Sequence, residues 1–250
     1  MKYIALFISS LLILSACSED IDLTLSTTHP FFVVDGHICD EVSPYNFVRL
    51  TMSSDYFQNA ESPAVRGASV VINDGEKDIV FEEQEPGYYM APALFAGMHG
   101  RTYHLTISNV DIDGDGVKES YTAESVMPPT YGIDSVKCSY DNFLEIYKIG
   151  MYAHEDTSTE NYYMFGYSYN DSLVCDSYLD YAITDDSYFS SDYCWGATIS
   201  TLREDFLKSG VINVGDTITV HALSINEDLF KYIAAVDDID SGSNPMFSST

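Results

Sequence analysis

Basic residues are scarce in this chain. Lysine and arginine together number 11 among 250 residues, against 39 aspartates and glutamates, for a formal charge of −28. A surface so acidic repels phosphate backbones and anionic headgroups, which excludes nucleic acid as a partner. Long apolar runs are missing too. The hydrophobic stretch Ile4 to Ala16 falls short of the roughly 20 residues that a spanning helix needs. No C-x-x-C spacing occurs among the five cysteines, which removes the usual zinc and thioredoxin-like arrangements. G-x-S-x-G, H-E-x-x-H and G-x-x-x-x-G-K are all absent. With so many carboxylates, no pair stands out as acid and base. His154-Glu155-Asp156 reads as a polar turn between strands. A non-enzymatic role is expected, with a hydrolase as the enzyme class left open. High charge can also signal disorder, but 46% hydrophobic residues, rich in Tyr, Phe, Val and Ile, argue for a folded core.

The N-terminus carries an address. Lys2 supplies a minimal positive start, and Ile4 to Ala16 an apolar segment, as in a secretory signal over residues 1–16. The segment stops at Leu14-Ser15-Ala16-Cys17. Small residues before a cysteine match the bacterial lipobox, in which the thiol takes a diacylglyceryl group and becomes the mature N-terminus. An ordinary signal with a chance cysteine is the plainer alternative. Two or three acyl chains, at about 0.8 kcal/mol per buried methylene, hold a protein at a membrane without any spanning helix. Ser18-Glu19-Asp20-Ile21-Asp22 follows at once. Acids in this place resemble the signal that sends lipoproteins of Bacteroidota to the outer face of the outer membrane, although a solvated tether would look the same. Residues 17–29 then form an acidic leash that reaches at most about 40 Å.

Beyond the leash the pattern is β. Asn46 to Thr51 and Thr102 to Ile107 alternate polar and apolar, as half-buried strands do. Ala68 to Asn73 runs into Asp74-Gly75, a hairpin-turn dipeptide. Phe31 to Gly36, Ile79 to Phe81, Tyr88 to Met90 and Ser120 to Ala123 complete a series spaced like an antiparallel sandwich. Met127 to Gly132 breaks regular structure. Further strands are expected over 133–140, 146–153, 161–169, 197–202 and 217–224. Ser224-x-x-Glu227 reads as a capping box that opens a helix running to about Asp237, with Leu229, Tyr232, Ile233 and Val236 at helical spacing. The expected fold is mainly β. An immunoglobulin-like sandwich occupies 30–127 and a linker 128–132. A second β-rich domain with one or two short helices covers 133–250. Its final strand is expected to be missing, which would make the chain a fragment or an early stop.

Four places could carry chemistry. Asp111, Asp113 and Asp115 alternate before glycines, with Glu119 further on. Oxygens at this spacing can converge on Ca²⁺. However, Thr122 stands where an EF-hand needs glutamate, and strands rather than helices flank the loop. A simple Asp/Gly hairpin turn is the alternative. The second place is a set of aromatics over 161–195. Here Tyr178, Tyr181, Tyr188, Tyr193 and Trp195 are interleaved with Asp and Ser, and the polar stretch 170–194 is the expected binding surface. Tyr163 and Phe165 suit a strand core. Cys17 is the lipidation site. Acylation of Cys17 leaves four cysteines with three pairings; Cys175 and Cys194 are closest and would close a loop worth about 3 kcal/mol.

The chain resembles the Bacteroidota lipoproteins that carry domain-of-unknown-function family 4249. The stretches that carry the likeness are Pro30 to Ile38, Pro63 to Ile72, Pro86 to Tyr89, Gly100 to Ile107, Ile133 to Val136, Asp228 to Tyr232 and Ser243-Asn244-Pro245. Their order and spacing are more specific than any one of them. The likeness spans 30–250, and family members continue past the Asn-Pro segment into a glycine-rich strand. It implies an outer-membrane lipoprotein encoded near TonB-dependent receptors, and it offers no catalytic residues to carry over.

Overall fold

The computed structural model describes residues 30–240, apart from 43, 55–60, 131, 155, 157, 176, 189–191 and 203–211. Cys17, the leash and the expected loop 241–245 lie outside the described residues. Among those described, no helix is long and apolar enough to cross a membrane.

Seven antiparallel strands build the first half. They are β1 (Phe32–His37), β2 (Phe47–Met52), β3 (Ser69–Asn73), β4 (Asp78–Glu85), β5 (Tyr88–Met90), β6 (Thr102–Val110) and β7 (Glu119–Val126). Their spatial order is β1-β2-β5-β4-β3-β6-β7. Strand β4 belongs to both layers. Its first half pairs β3 through Asp78 to Phe81, and its second half pairs β5 across a bulge between Glu83 and Glu85. The sheet therefore curls, and Phe32 of the first strand meets Tyr121 of the last at 4.7 Å.

The alternating residues fill the space between the layers. Val48, Leu50, Val70, Ile72, Ile79, Phe81, Tyr89 and Ile107 are all buried. Each contributes about 1.5–3 kcal/mol on leaving water. Tyr89 keeps its hydroxyl satisfied: it accepts from Ala68 N at 2.9 Å and donates to the Val65 carbonyl at 3.3 Å. Asp74 caps the expected Asp-Gly turn. Its Oδ1 accepts from Glu76 N and Lys77 N, and its Oδ2 receives Arg101 at 2.9 Å. Gly75 takes φ +88°, a backbone conformation that favours glycine.

The second half has two further sheets. One holds β8 (Ile133–Asp141), β9 (Ile146–His154) and β13 (Tyr193–Leu202) in the order β13-β9-β8. The other centres on β10 (Tyr162–Tyr169), which pairs β11 (Ser172–Leu173), β12 (Ala182–Asp185) and β14 (Ile218–Ile225). Ile149, Met151, Tyr163, Phe165, Tyr167, Ile199 and Leu202 form the core between them. Strand β8 is an edge and is exposed along nearly its whole length; Asp134 and Lys137 lie on it, charges that discourage edge-to-edge pairing.

The helix α1 (Glu227–Asp240) covers the other face of β10, burying Ile233 against Met164 and Ile225. It ends three residues later than expected, and its cap differs. Asn226 Oδ1 accepts from Leu229 N at 2.8 Å, so Asn226 rather than Ser224 holds the helix start. A true capping box lies at Ser177, which opens a short 3₁₀ turn, Tyr178–Asp180. A second 3₁₀ turn spans Asp186–Tyr188.

The expected Cys175–Cys194 disulfide is not formed. Both residues are thiols packed in the same core. Cys175 Sγ points to the Asp180 carbonyl at 3.5 Å, and Cys194 Sγ to the Met151 carbonyl at 3.2 Å. Proximity in sequence does not aim two sulfurs at each other, because each side chain follows the backbone of its own element.

Candidate functional site

The aromatics expected to form one cluster divide between two surfaces. Tyr178 and Tyr181 follow Cys175 across the 3₁₀ turn that Ser177 caps. Together with Tyr232, Leu179, Ile233 and Val236 they line a groove of about 450 Å³ between that turn and α1. Gly166 on β10 makes room for Tyr181: a Cβ there would stand 2.4 Å from the Tyr181 ring and 3.1 Å from Cys175 Sγ. The groove also senses the first half of the chain. Burial pushes the Tyr178 phenol up to about 12, helped by the negative charge of Asp35 on β1. Burial likewise raises Tyr181, with Cys175 and Asp180 adding to it.

Tyr193 and Trp195 occupy the sheet β13-β9-β8 instead. Their rings are 4.5 Å apart, and His154 packs edge-on against Tyr193 at 4.8 Å. A bulge between Trp195 and Ala197 turns the strand, with Gly196 at φ +77°. The indole is left 78% exposed. The Asp134 carboxylate hydrogen-bonds the Tyr193 hydroxyl and raises its pKa, with burial second. His154, read from sequence as part of a turn, ends β9 and belongs to this patch. Tyr188 sits in the second 3₁₀ turn, but its side chain lies outside the described part of the structure. Tyr163 and Tyr167 are core residues.

Sequence reasoning missed three contributors to these surfaces. Tyr232 looked like part of the apolar face of α1, yet it is 59% exposed. Helical spacing places it beside Ile233, and no local signal distinguishes the two. Asp35 and Tyr88 lie on strands of the first half, and only the fold brings the Asp35 carboxylate and the Tyr88 phenol within reach of Tyr178.

The β6–β7 hairpin brings Asp111, Asp113 and Asp115 together, with one oxygen of each within 4.8 Å of the others. Asp111 accepts from Gly114 N at 2.9 Å and Gly116 N at 3.2 Å. Asp113 accepts from Asp115 N, and Asp115 from Val117 N. Glu119 is turned to Ile112 N at 3.4 Å. These bonds fold the loop, as an Asp/Gly turn requires. A carboxylate oxygen has more than one lone pair, so convergent aspartates can still take a hard cation, and Glu119 is not among the converging oxygens.

One pair was not anticipated. Ser168 Oγ on β10 lies 2.7 Å from His221 Nε2 on β14. A hydroxyl and an imidazole at this distance are the start of a nucleophile and base. Ser168 is buried, however, and among the described residues no carboxylate is seen to orient the ring's other nitrogen. The contact ties two strands together.

The class that these features define is a mainly-β protein of antiparallel sheets with three hydrophobic clusters among the described residues, which displays tyrosine-rich surfaces on its second half. The chain belongs to the family described as domain of unknown function (DUF4249), whose profile matches residues 18–249. No curated protein matches it significantly.

Proposed function

We propose that this protein is a lipoprotein of the outer membrane, facing the cell exterior, that works beside a TonB-dependent receptor and helps to capture an extracellular nutrient. One observation carries the reading: Leu14-Ser15-Ala16-Cys17 followed at once by acid. A lipid at Cys17 and a leash of about 40 Å confine the folded part to a layer above the membrane. A partner in the same membrane is then met at high effective concentration, so a modest contact surface suffices.

Two features of the structure support a binding role within that setting. Trp195 and Tyr193 offer rigid aromatic area to a partner, and the groove beside α1 offers a concave surface. The receptor as partner is supported by the resemblance to the lipoproteins of family 4249 alone. A structural or adhesive surface protein is the second reading, favoured by the apolar side chains that β8 leaves exposed, Ile133 and Val136.

The test is affinity purification of the lipidated protein from its native membrane in mild detergent, beside a variant that carries Trp195→Ala and Tyr232→Leu, two exposed positions outside the cores. Recovery of a TonB-dependent receptor by wild type but not by the variant is expected. Recovery of none, with unchanged growth of a deletion strain on every nutrient tried, would transfer the protein to the structural reading.

A further inference from the structure

The β8–β9 hairpin carries apolar residues at its very tip. Asn142 to Glu145 join the two strands, and within this turn Phe143 is 92% exposed and Leu144 52%. The turn is held by its own hydrogen bonds. Asp141 Oδ1 accepts from Phe143 N at 2.9 Å and from Leu144 N at 3.1 Å, while Oδ2 receives Lys148 Nζ at 2.6 Å. Glu145 closes the turn at φ +54°. Just behind it, Tyr140 stands opposite Tyr147 in the strand register, with the rings 4.8 Å apart. The hairpin is also close to neutral. Residues 133–154 hold Asp134, Asp141 and Glu145 against Lys137 and Lys148, in a chain with 39 acids and 11 bases.

We infer that this tip docks into the lipid surface to which the protein is tethered, with Phe143 and Leu144 below the headgroups and Tyr140 and Tyr147 level with them. This rests on the reading of the chain as lipid-anchored, which brings a bilayer within a leash of about 40 Å, and it does not depend on the receptor. Lipid accepts a single protruding side chain, and a tyrosine suits the headgroup level, where its ring is sheltered and its hydroxyl is wet. Pairing with Lys148 offsets the charge of Asp141 and leaves Glu145 as the one acid of the turn. Two side chains on a convex tip offer a protein partner far less than the roughly 800 Å² that each side of a stable interface buries. A second copy of the chain would also bring a second formal charge of −28.

The experiment holds the mature chain from residue 17, which contains every described residue, on phosphatidylcholine vesicles through an N-terminal histidine tag and a nickel-chelating lipid. The result then does not depend on acylation of Cys17, which mass spectrometry of the native protein reads separately. Phe143→Trp in a Trp195→Phe background places the single indole at the tip. Its emission is expected to shift to the blue on tethering and to be quenched when the vesicles carry brominated acyl chains. Leu144→Asp in that background should lower the docked-to-free ratio by at least about tenfold, as one apolar side chain returns to water. Leu144→Ala, which adds no charge, should lower it too, and an unchanged melting curve checks the fold of both. The wild-type chain, whose single tryptophan is Trp195 opposite Tyr152 near the far end of β9, should show no quenching. Tip emission that brominated chains leave unchanged overturns the inference, as does equal quenching with and without Leu144, or quenching of Trp195 in place of the tip. A blue shift that arises without vesicles and grows with protein concentration assigns the tip to a second copy. One that needs added protein from the native membrane assigns it to a protein partner. Either result overturns docking on lipid.

Discussion

Replacing Asp74 by asparagine isolates the electrostatic link between the β3–β4 turn and β6. The carboxylate is buried, with 6% of the side chain exposed, and it lies 2.9 Å from Arg101, whose side chain is 24% exposed. Asparagine keeps an oxygen for the N–H groups of Glu76 and Lys77. It turns an amide towards the guanidinium, a donor facing a donor. Breaking a buried pair costs about 3–5 kcal/mol, and a charged hydrogen bond about 1.5–3. Arg101 is partly solvated and keeps Glu76 at 2.9 Å, so a loss of about 2 kcal/mol is expected for the asparagine variant. That lowers the melting temperature by about 4–8 °C for a chain of this size. Asp74→Ala also abandons the two turn N–H groups and should lose about 1–2 kcal/mol more.

The pH dependence has a sign. Burial alone would raise the Asp74 pKa, but the N–H groups of Lys77 and Glu76, then Arg101, outweigh it and hold the folded value below the usual 3.8. The stabilisation is complete above that value and is lost as pH falls through the depressed folded pKa. Urea denaturation of wild type and Asp74→Asn should show a gap that is constant near neutrality and closes on acidification below about 3.8. An asparagine variant as stable as wild type at neutral pH would refute the reasoning, and a gap that widens in acid would refute its electrostatic part.

Other perturbations test other parts of the structure. Tyr178, pushed up to about 12, should be among the last phenols to ionise in an ultraviolet titration of the folded protein, and Tyr178→Phe should remove that late step. Its neutral form is favoured on folding, so its contribution is present below pH 10 and falls away as the pH rises from 10 towards 12. Gly166→Ala should displace Tyr181 and lower the melting temperature by several degrees, because the new Cβ starts 2.4 Å from that ring. A variant with unchanged stability and unchanged tyrosine titration would show that the groove is looser than described. If Ca²⁺ seats on Asp111, Asp113 and Asp115, millimolar calcium raises the melting temperature and Asp113→Ala abolishes the rise; an Asp113→Ala protein that responds like wild type would place the ion elsewhere.

The strands of the first half were legible because their alternation is clean. Val48 and Leu50 point in while Arg49 points out, and Val70 and Ile72 are both buried. Strand β4 was read too short, since only Ile79 to Phe81 is apolar; the acidic remainder earns its place by pairing β5, which no local pattern reveals. Strand β12 was missed altogether. It is four residues of an acidic, serine-rich stretch, and it exists because β10 offers its edge from Tyr162 to Phe165. Segment 170–194, read as a single polar loop, contains among its described residues two 3₁₀ turns, two short strands and the start of β13. The helix was legible from its spacing, but its cap moved two residues because Asn226 aims its side chain at Leu229 N. Of the candidate site, the residue types were visible and the grouping was not. Tyr178 and Trp195 are close in sequence, yet one sits in a 3₁₀ turn beside α1 and the other on β13, and Tyr232 joins Tyr178 only through the packing of α1 on β10.

The most direct measurement joins address, partner and surface in one result. A photo-crosslinking residue is placed at position 195 of the full-length protein, and intact cells of the native organism are irradiated before the products are identified by mass spectrometry. The indole it replaces is 78% exposed, so the fold should tolerate the change. The account predicts a crosslink to a TonB-dependent outer-membrane receptor that disappears when Cys17→Ser releases the protein from the membrane. A crosslinking pattern without any such receptor, or one that is the same with and without the anchor, would contradict it.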